Sequence, residues 1–317
     1  MSSNHYNRLE LLFVNVNLYS QGDEKMEWIS HSRVLIIGLG LMGGSYAKAL
    51  KRLGYYVSAI DKKVESIEYA LKEGIIDSGS VKADSELVKN ADAVIFALYP
   101  EVFKDWIREN QEFFHPGTLI TDVTGVKGSI VYDIQDMLRD DVEFIPAHPM
   151  AGREVYGVEN SDDRMFQNAN YIITPTSKNT PEAIEWCKSL GKILGFRRIS
   201  VLTPEEHDEM IGFVSQLTHC IAVALMTCSD NHHLVDYTGD SFRDLTRIAR
   251  INEKMWTELF LMNKPALLKQ MDTFLAEFTE LRRMLADEDK TGLASKMKLS
   301  TERRSWFDET DPKLKKK

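Results

Sequence analysis

Two periods of apolar residues divide the chain. From Arg33 to Val201, short apolar runs alternate with stretches of helical spacing. Val34–Ile37 is a continuous apolar run ending in glycine. Ser45–Leu53 has helical spacing closed by Gly54, and Tyr56–Ile60 is a second apolar run. Val64–Glu73 is helical up to Gly74, and further runs follow at Ala93–Ala97, Leu119–Thr121, Glu143–Pro146, Tyr171–Thr174 and Ile199–Val201. Runs this short, bounded by Gly, Pro or Asp, read as buried strands. Strands alternating with helices predict an α/β, doubly wound, mostly parallel sheet covered on both faces.

After Thr203 the pattern changes. Pro204 suits a first helical turn, and Glu205, Glu206 and Asp208 suit its positive end. Ile211, Val214, Leu217, Ile221, Leu225 and Cys228 recur at helical spacing. Pro265–Leu285 carries a second stripe through Leu267, Leu268, Met271, Phe274, Leu275, Phe278, Leu281 and Leu285. Strand patterning stops at Val201, so the second half is predicted to be all-α. Its stripes exceed what a thin helical layer buries, which predicts a homodimer; packing against the first domain is the alternative. The resulting divisions are an extension (1–30), an α/β domain (31–202), a helical domain (203–305) and a basic tail (306–317).

Bulk properties narrow the function. A length of 317 residues suits two domains. A net charge of -9 disfavours a nucleic-acid partner, and Lys313 and Lys315–Lys317 read as a solvated tail. Cys187, Cys220 and Cys228 form no CxxC pair, as expected of reduced thiols in a cytoplasmic protein. Glu10, Asn15 and Asn17 interrupt the apolar stretch Leu9–Tyr19, so no leader is read there. No uninterrupted apolar run reaches about 18 residues, so no membrane association is expected. No metal site is expected either.

One motif has the context that gives it meaning. Gly38-Leu39-Gly40-Leu41-Met42-Gly43 follows a predicted strand and opens a predicted helix, and Asp61 ends the next strand about twenty residues on. In such a loop the first glycine permits a tight turn, the second lets backbone approach a pyrophosphate, and the third lets helix and strand pack closely. The helix N-terminus offers free N–H groups to the phosphates. The Asp61 carboxylate accepts from ribose hydroxyls and repels an added phosphate, which favours NAD over NADP. These features predict a Rossmann-type domain with NAD as cofactor.

Among eight histidines, His148 stands out. It follows a strand within Pro146-Ala147-His148-Pro149, where Pro149 and Gly152 are expected to form a turn that presents the ring at the ligand crevice. A neutral histidine is a natural base near pH 7. His5, His31, His115, His207, His232 and His233 read as residues of termini, loops or helix surfaces. Asp122–Lys127 (DVTGVK) is a second crevice segment, with Thr124 within reach of His148 and of the cofactor. Arg243, Arg247 and Arg250 are spaced to share one helix face. Either they form a solvated basic face, or one of them grips a substrate carboxylate.

Five segments in this order resemble the prephenate/arogenate dehydrogenase family of tyrosine biosynthesis: GLGLMGGS (38–45), DVTGVK (122–127), HPMAGRE (148–154), VSQLTHCIA (214–222) and FRDLTRIA (242–249), with Trp256 behind. The resemblance covers roughly Arg33 to Leu285. It implies a Rossmann domain and a helical dimerisation domain with the active site between them, where NAD-dependent oxidative decarboxylation takes place. It also implies His148 as the catalytic group, Arg247 as the carboxylate anchor and His219 as a substrate contact. Glu154, Asp244 and Trp256 line or support the pocket. The sequence departs from the family in two places. Gly125 stands where many members have a serine, with Thr124 as its substitute, and Gln216 stands where some carry a histidine. Asp240 either favours the ammonium of arogenate over the keto group of prephenate or acts as a helix cap. The rival readings are another two-domain NAD(P) hydroxyacid dehydrogenase and a non-catalytic NAD sensor.

Overall fold

The structure is a computed structural model that describes residues 32–308 except Glu154. The expectations for residues 1–30, for His5, His31 and Glu154, and for the lysines of the tail fall outside the described residues.

Six parallel strands form the main sheet: β1 (Arg33–Ile37), β2 (Tyr56–Ile60), β3 (Ser78–Ser80), β4 (Ala93–Phe96), β5 (Leu119–Asp122) and β6 (Glu143–Phe144). Their order is β3-β2-β1-β4-β5-β6. The direction of winding reverses between β1 and β4, and that switch point opens the ligand crevice of doubly wound sheets. β3 was not evident in the sequence because Ser-Gly-Ser has no apolar period. Gly79 is needed there, since a Cβ would sit 3.0 Å from the side chains of Ile67 and Ile76.

The last apolar runs do not extend this sheet. β7 (Ala147–Met150) pairs antiparallel with β8 (Asn170–Ile173), which pairs parallel with β9 (Arg198–Val201) in a separate three-stranded sheet. The chain leaves the first sheet at Pro146, which has no N–H to donate to a ladder. The next N–H, of Ala147, goes to the Asp122 carboxylate at 3.0 Å instead. His148 therefore lies within a strand, not in the turn that was expected.

Helices α1 (Leu41–Arg52), α2 (Val64–Lys72), α3 (Ser85–Lys89), α4 (Pro100–Asn110), α5 (Val131–Met137) and α6 (Pro181–Ile193) belong to the α/β domain. Alternate residues of β1 enter opposite cores. Val34 and Ile36 pack with Tyr46, Leu50 and Tyr171, while Leu35 and Ile37 pack with Phe96, Phe103 and Phe144. This period of two is the signature of a strand buried on both faces.

The second half is helical: α7 (Pro204–Ile211), α8 (Thr218–Thr227), α9 (Leu234–Tyr237), α10 (Asp240–Thr246), α11 (Glu253–Met262), α12 (Lys264–Ala286) and α13 (Lys290–Asp308). A π-turn, Gly212–Leu217, joins α7 to α8, so that Pro204–Thr227 is one continuous helix. By length and composition this helix is apolar enough to cross a membrane. The sequence reading did not find such a run because Ser215, Gln216, Thr218 and His219 interrupt it. Its first turn is fixed by a capping box between Thr203 and Glu206.

Candidate active site

The glycine loop has the division of labour that a dinucleotide requires. Gly38 adopts φ +100°, and a Cβ there would lie 2.5 Å from the Ala97 carbonyl oxygen. A Cβ on Gly43 would lie 1.9 Å from the carbonyl oxygen of Gly38, so helix and strand touch backbone to backbone. A Cβ on Gly40 would meet no described atom within 4 Å. Gly40 is therefore the open glycine, placed where backbone meets ligand. It precedes α1, whose first residues Leu41, Met42 and Gly43 supply N–H groups and no carboxylate. Leu39 turns its side chain into the core and donates its N–H to Asp61 Oδ2 at 2.6 Å. The residues fit a dinucleotide, with the α1 N-terminus for the pyrophosphate and Asp61 beside it for the ribose.

The end of β5 carries a buried ion pair. Lys127 Nζ lies 2.9 and 2.7 Å from the two Asp122 oxygens and 2.6 Å from the Ala147 carbonyl. Both side chains are fully buried. Burial pushes the Lys127 ammonium below its ordinary pKa, against the pull of Asp122. Asp122 also accepts the N–H groups of Thr124 and Ala147. The pair thus joins the end of β5 to the residue before His148. Thr124 belongs to this cluster. Its hydroxyl bonds to Asp122 Oδ2, and Lys127 Nζ lies 3.2 Å away. That hydroxyl is already engaged, which corrects the expectation that Thr124 stands in for a serine at Gly125.

Gly125 itself faces His148. A Cβ there would lie 3.7 Å from His148 Nε2 and 3.8 Å from Leu259 Cδ1 on α11. The position expected to carry a serine hydroxyl is therefore beside the histidine and is occupied by hydrogen alone. His148 is half-buried on β7. Its Nδ1 lies 2.9 Å from Nε2 of His207, and His207 Nδ1 lies 2.7 Å from Asp208 Oδ1. His207 is fully buried, not at a helix surface as its place early in α7 suggested. Asp208 also accepts the N–H groups of Lys127 at 2.8 Å and Gly128 at 2.7 Å. Burial lowers the pKa of His148 well below the ordinary imidazole value, with His207 and Lys127 adding to the effect. Burial also lowers that of His207, opposed by Asp208.

The helical domain forms the other wall. His219 on α8 stacks against Trp256 on α11, with ring centroids 3.7 Å apart, and its Nδ1 bonds the Ser215 carbonyl at 2.9 Å. α11 also reaches the first domain, where Glu258 accepts the N–H of Glu101 in the first turn of α4 at 3.2 Å. Gln216 does not line the pocket. It is 1% exposed, it donates to the Leu259 carbonyl, and it accepts from Asn263 at 2.7 Å. Its amide ties the π-turn to the C-terminal end of α11 and to Asn263.

Arg247 opens a single 3-10 turn, Arg247–Ala249, after α10 has ended at Thr246. Arg243, Arg247 and Arg250 therefore do not share a regular helix face. Asp240 is the first residue of α10, with Gly239 as the cap. Its side chain is 95% exposed and lies 3.6 Å from Arg243, so it is not the capping residue. Asp244 is exposed on the same short helix.

Residues 46–200 match the prephenate dehydrogenase nucleotide-binding domain, and residues 203–299 match the prephenate dehydrogenase dimerization domain. The chain belongs to the prephenate dehydrogenase family. It is 34% identical to prephenate dehydrogenase of Bacillus subtilis, an alignment covering 82% of this chain and 72% of the relative. It is 30% identical to cyclohexadienyl dehydrogenase of Zymomonas mobilis, covering 86% and 94%. The crystal structure of prephenate dehydrogenase from A. aeolicus, in complex with hydroxyphenyl propionate and NAD+, superposes with a TM-score of 0.80 at 31% identity, covering 87% of this chain and 98% of that one. Membership of this family places the chain among oxidoreductases with a nucleotide-binding domain and sets aside the hydroxyacid dehydrogenase and sensor readings.

Proposed function

We propose that the protein catalyses the NAD-dependent oxidative decarboxylation of prephenate to 4-hydroxyphenylpyruvate, with His148 as the base. The observation that carries this reading is the position of His148 Nε2, which faces Gly125 at the crevice beside β5 while Nδ1 is held from behind. When bound, NAD supplies the hydride acceptor.

His148 receives the proton of the ring hydroxyl as that carbon loses hydride and gains carbonyl character. A hydroxyl on such a carbon becomes strongly acidic, so a histidine of lowered pKa is basic enough, and it is neutral at working pH. Loss of the ring carboxylate as CO2 returns its bonding electrons to the ring, and the proton goes back to the oxygen that becomes a phenol. No net proton is gained or lost. Arg247 anchors the side-chain carboxylate, while His219 and Trp256 enclose the ring. The chain works as a homodimer through its helical domain, in the cytoplasm.

NADH formation at 340 nm, measured with NAD and prephenate or arogenate side by side, tests this reading. Turnover of prephenate is the expected outcome. Turnover of arogenate alone would reassign the substrate, with exposed Asp240 then the first residue to vary. Bound NAD without turnover of either would overturn the reading.

A further inference from the structure

We propose that His207 and Asp208 are positioning residues that hold His148 in the one tautomer able to take a proton from substrate. The inference rests on the reading of His148 as the base and goes beyond it to two residues on another element.

The argument runs along the hydrogen bonds. An ionised carboxylate only accepts, so Asp208 Oδ1, at 2.7 Å, takes the proton of His207 Nδ1. Asp208 also accepts two backbone N–H groups, those of Lys127 and Gly128, so its carboxyl oxygens serve as acceptors throughout this cluster. A neutral His207 then presents a bare Nε2. At 2.9 Å that nitrogen can only accept, so His148 must donate from Nδ1. The remaining lone pair of His148 is on Nε2, the nitrogen that faces the hydrogen-only position of Gly125. With the proton on Nε2 instead, two bare nitrogens would confront each other in a buried contact, and no acceptor would face the substrate.

The charged neighbours act on the two rings in opposite directions. His148 comes from β7, Asp208 from α7 and Lys127 from the loop after β5, with Asp122 behind Lys127. Burial disfavours an imidazolium at both rings and Lys127 adds to it, while Asp208 and Asp122 pull His207 the other way; the net shift is downward at both, so both start neutral. As His148 takes the substrate proton on Nε2, its Nδ1–H still points at His207, whose other side faces the Asp208 carboxylate. The developing positive charge therefore lies at the head of a chain that ends in a negative group. Asn263 adds to the rigidity of the chain by donating to the Asp208 carbonyl at 2.8 Å.

The test combines a spectroscopic and a kinetic measurement. Long-range proton–nitrogen NMR of histidine-labelled full-length protein, with H148N and H207L for assignment, reads the tautomer directly. The expected result is a protonated Nδ1 and a bare Nε2 on His148 in the wild type, and a mixture of tautomers in H207L. In the NADH assay, H207L should lose about 100-fold or more in kcat with KM held within about threefold, as for a histidine base that loses its orienting partner. His207→Gln can offer an amide oxygen close to the lost Nε2 and should recover at least about tenfold of that loss. Wild-type His148 carrying its proton on Nε2 would overturn the proposal, as would a folded H207L that keeps kcat within about threefold. If H207L does not fold, the wild-type spectrum and the Gln variant decide. If His148 proves not to be the base, the spectrum still reads the tautomer, so the two failures remain distinct.

Discussion

His148 and His207 touch, and both have their pKa lowered by burial. The acid limb of kcat/KM should therefore fall below the free imidazole value of about 6.5, not at it. Stability follows the same sign. In acid the unfolded chain binds protons that the folded histidines refuse, so the stability these residues contribute is present above about pH 6.5 and is lost as pH falls towards their folded pKa values. A pH–rate profile and a melting series from pH 5 to 8 check both statements. An acid limb at or above 6.5 would contradict the burial argument. His148→Asn should lower kcat by about two to four orders of magnitude, and turnover within a few-fold of wild type would remove it as the base. Arg247→Ala should act mainly on KM, because a substrate carboxylate would lose a charged partner. An unchanged KM would place Arg247 outside the pocket.

Among the elements, the end of β5 matters most. Asp122 and Lys127 are fully buried and bind each other, Thr124 and the backbone of Ala147. This cluster stands between the nucleotide-binding sheet and the strand of His148. Removing one member leaves the other charge buried without its partner. Lys127→Met is expected to cost about 3–5 kcal/mol of stability, read as a lower denaturation midpoint. Asp122→Leu combined with Lys127→Met should recover part of that loss, since no lone charge then remains. A single variant as stable as wild type would mean that water reaches Asp122. Gln216, which the family resemblance offered as a pocket residue, is likewise buried and engaged, joining the π-turn to α11.

At the scale of the whole molecule, the helical half has more apolar surface than its own packing covers. On α12 alone, Leu268, Leu275, Phe278 and Leu285 are about half exposed or more, from 46% to 65%. Val235, Tyr237 and Leu245, around the segment that carries Arg247, are more than half exposed as well. Patches of this extent mark an interface, and the proposed homodimer would cover them with a second copy of the chain. Sedimentation equilibrium should return twice the mass of the chain at micromolar concentration. Phe278→Asp should shift that mass towards the single chain. A wild-type monomer would exclude the dimer.

The sequence by itself determined the elements whose causes are local. Apolar period located most strands and the long helices, glycines marked the phosphate loop, and Asp61 followed at the proper distance. His148 was legible because a strand ends near it and Pro149 follows. What tertiary structure decided was the company each residue keeps. Neighbours in space leave no period in the chain, so His207 read as a surface residue, although 59 positions separate it from the ring it touches. The second sheet arises because Pro146 cannot donate and Asp122 captures the next N–H. Thr124 and Gln216 look available in a list of residues and are spent once their partners are known. Local sequence sets backbone preferences and apolar faces. Burial and long-range hydrogen bonds then select the few polar groups that remain free to do chemistry.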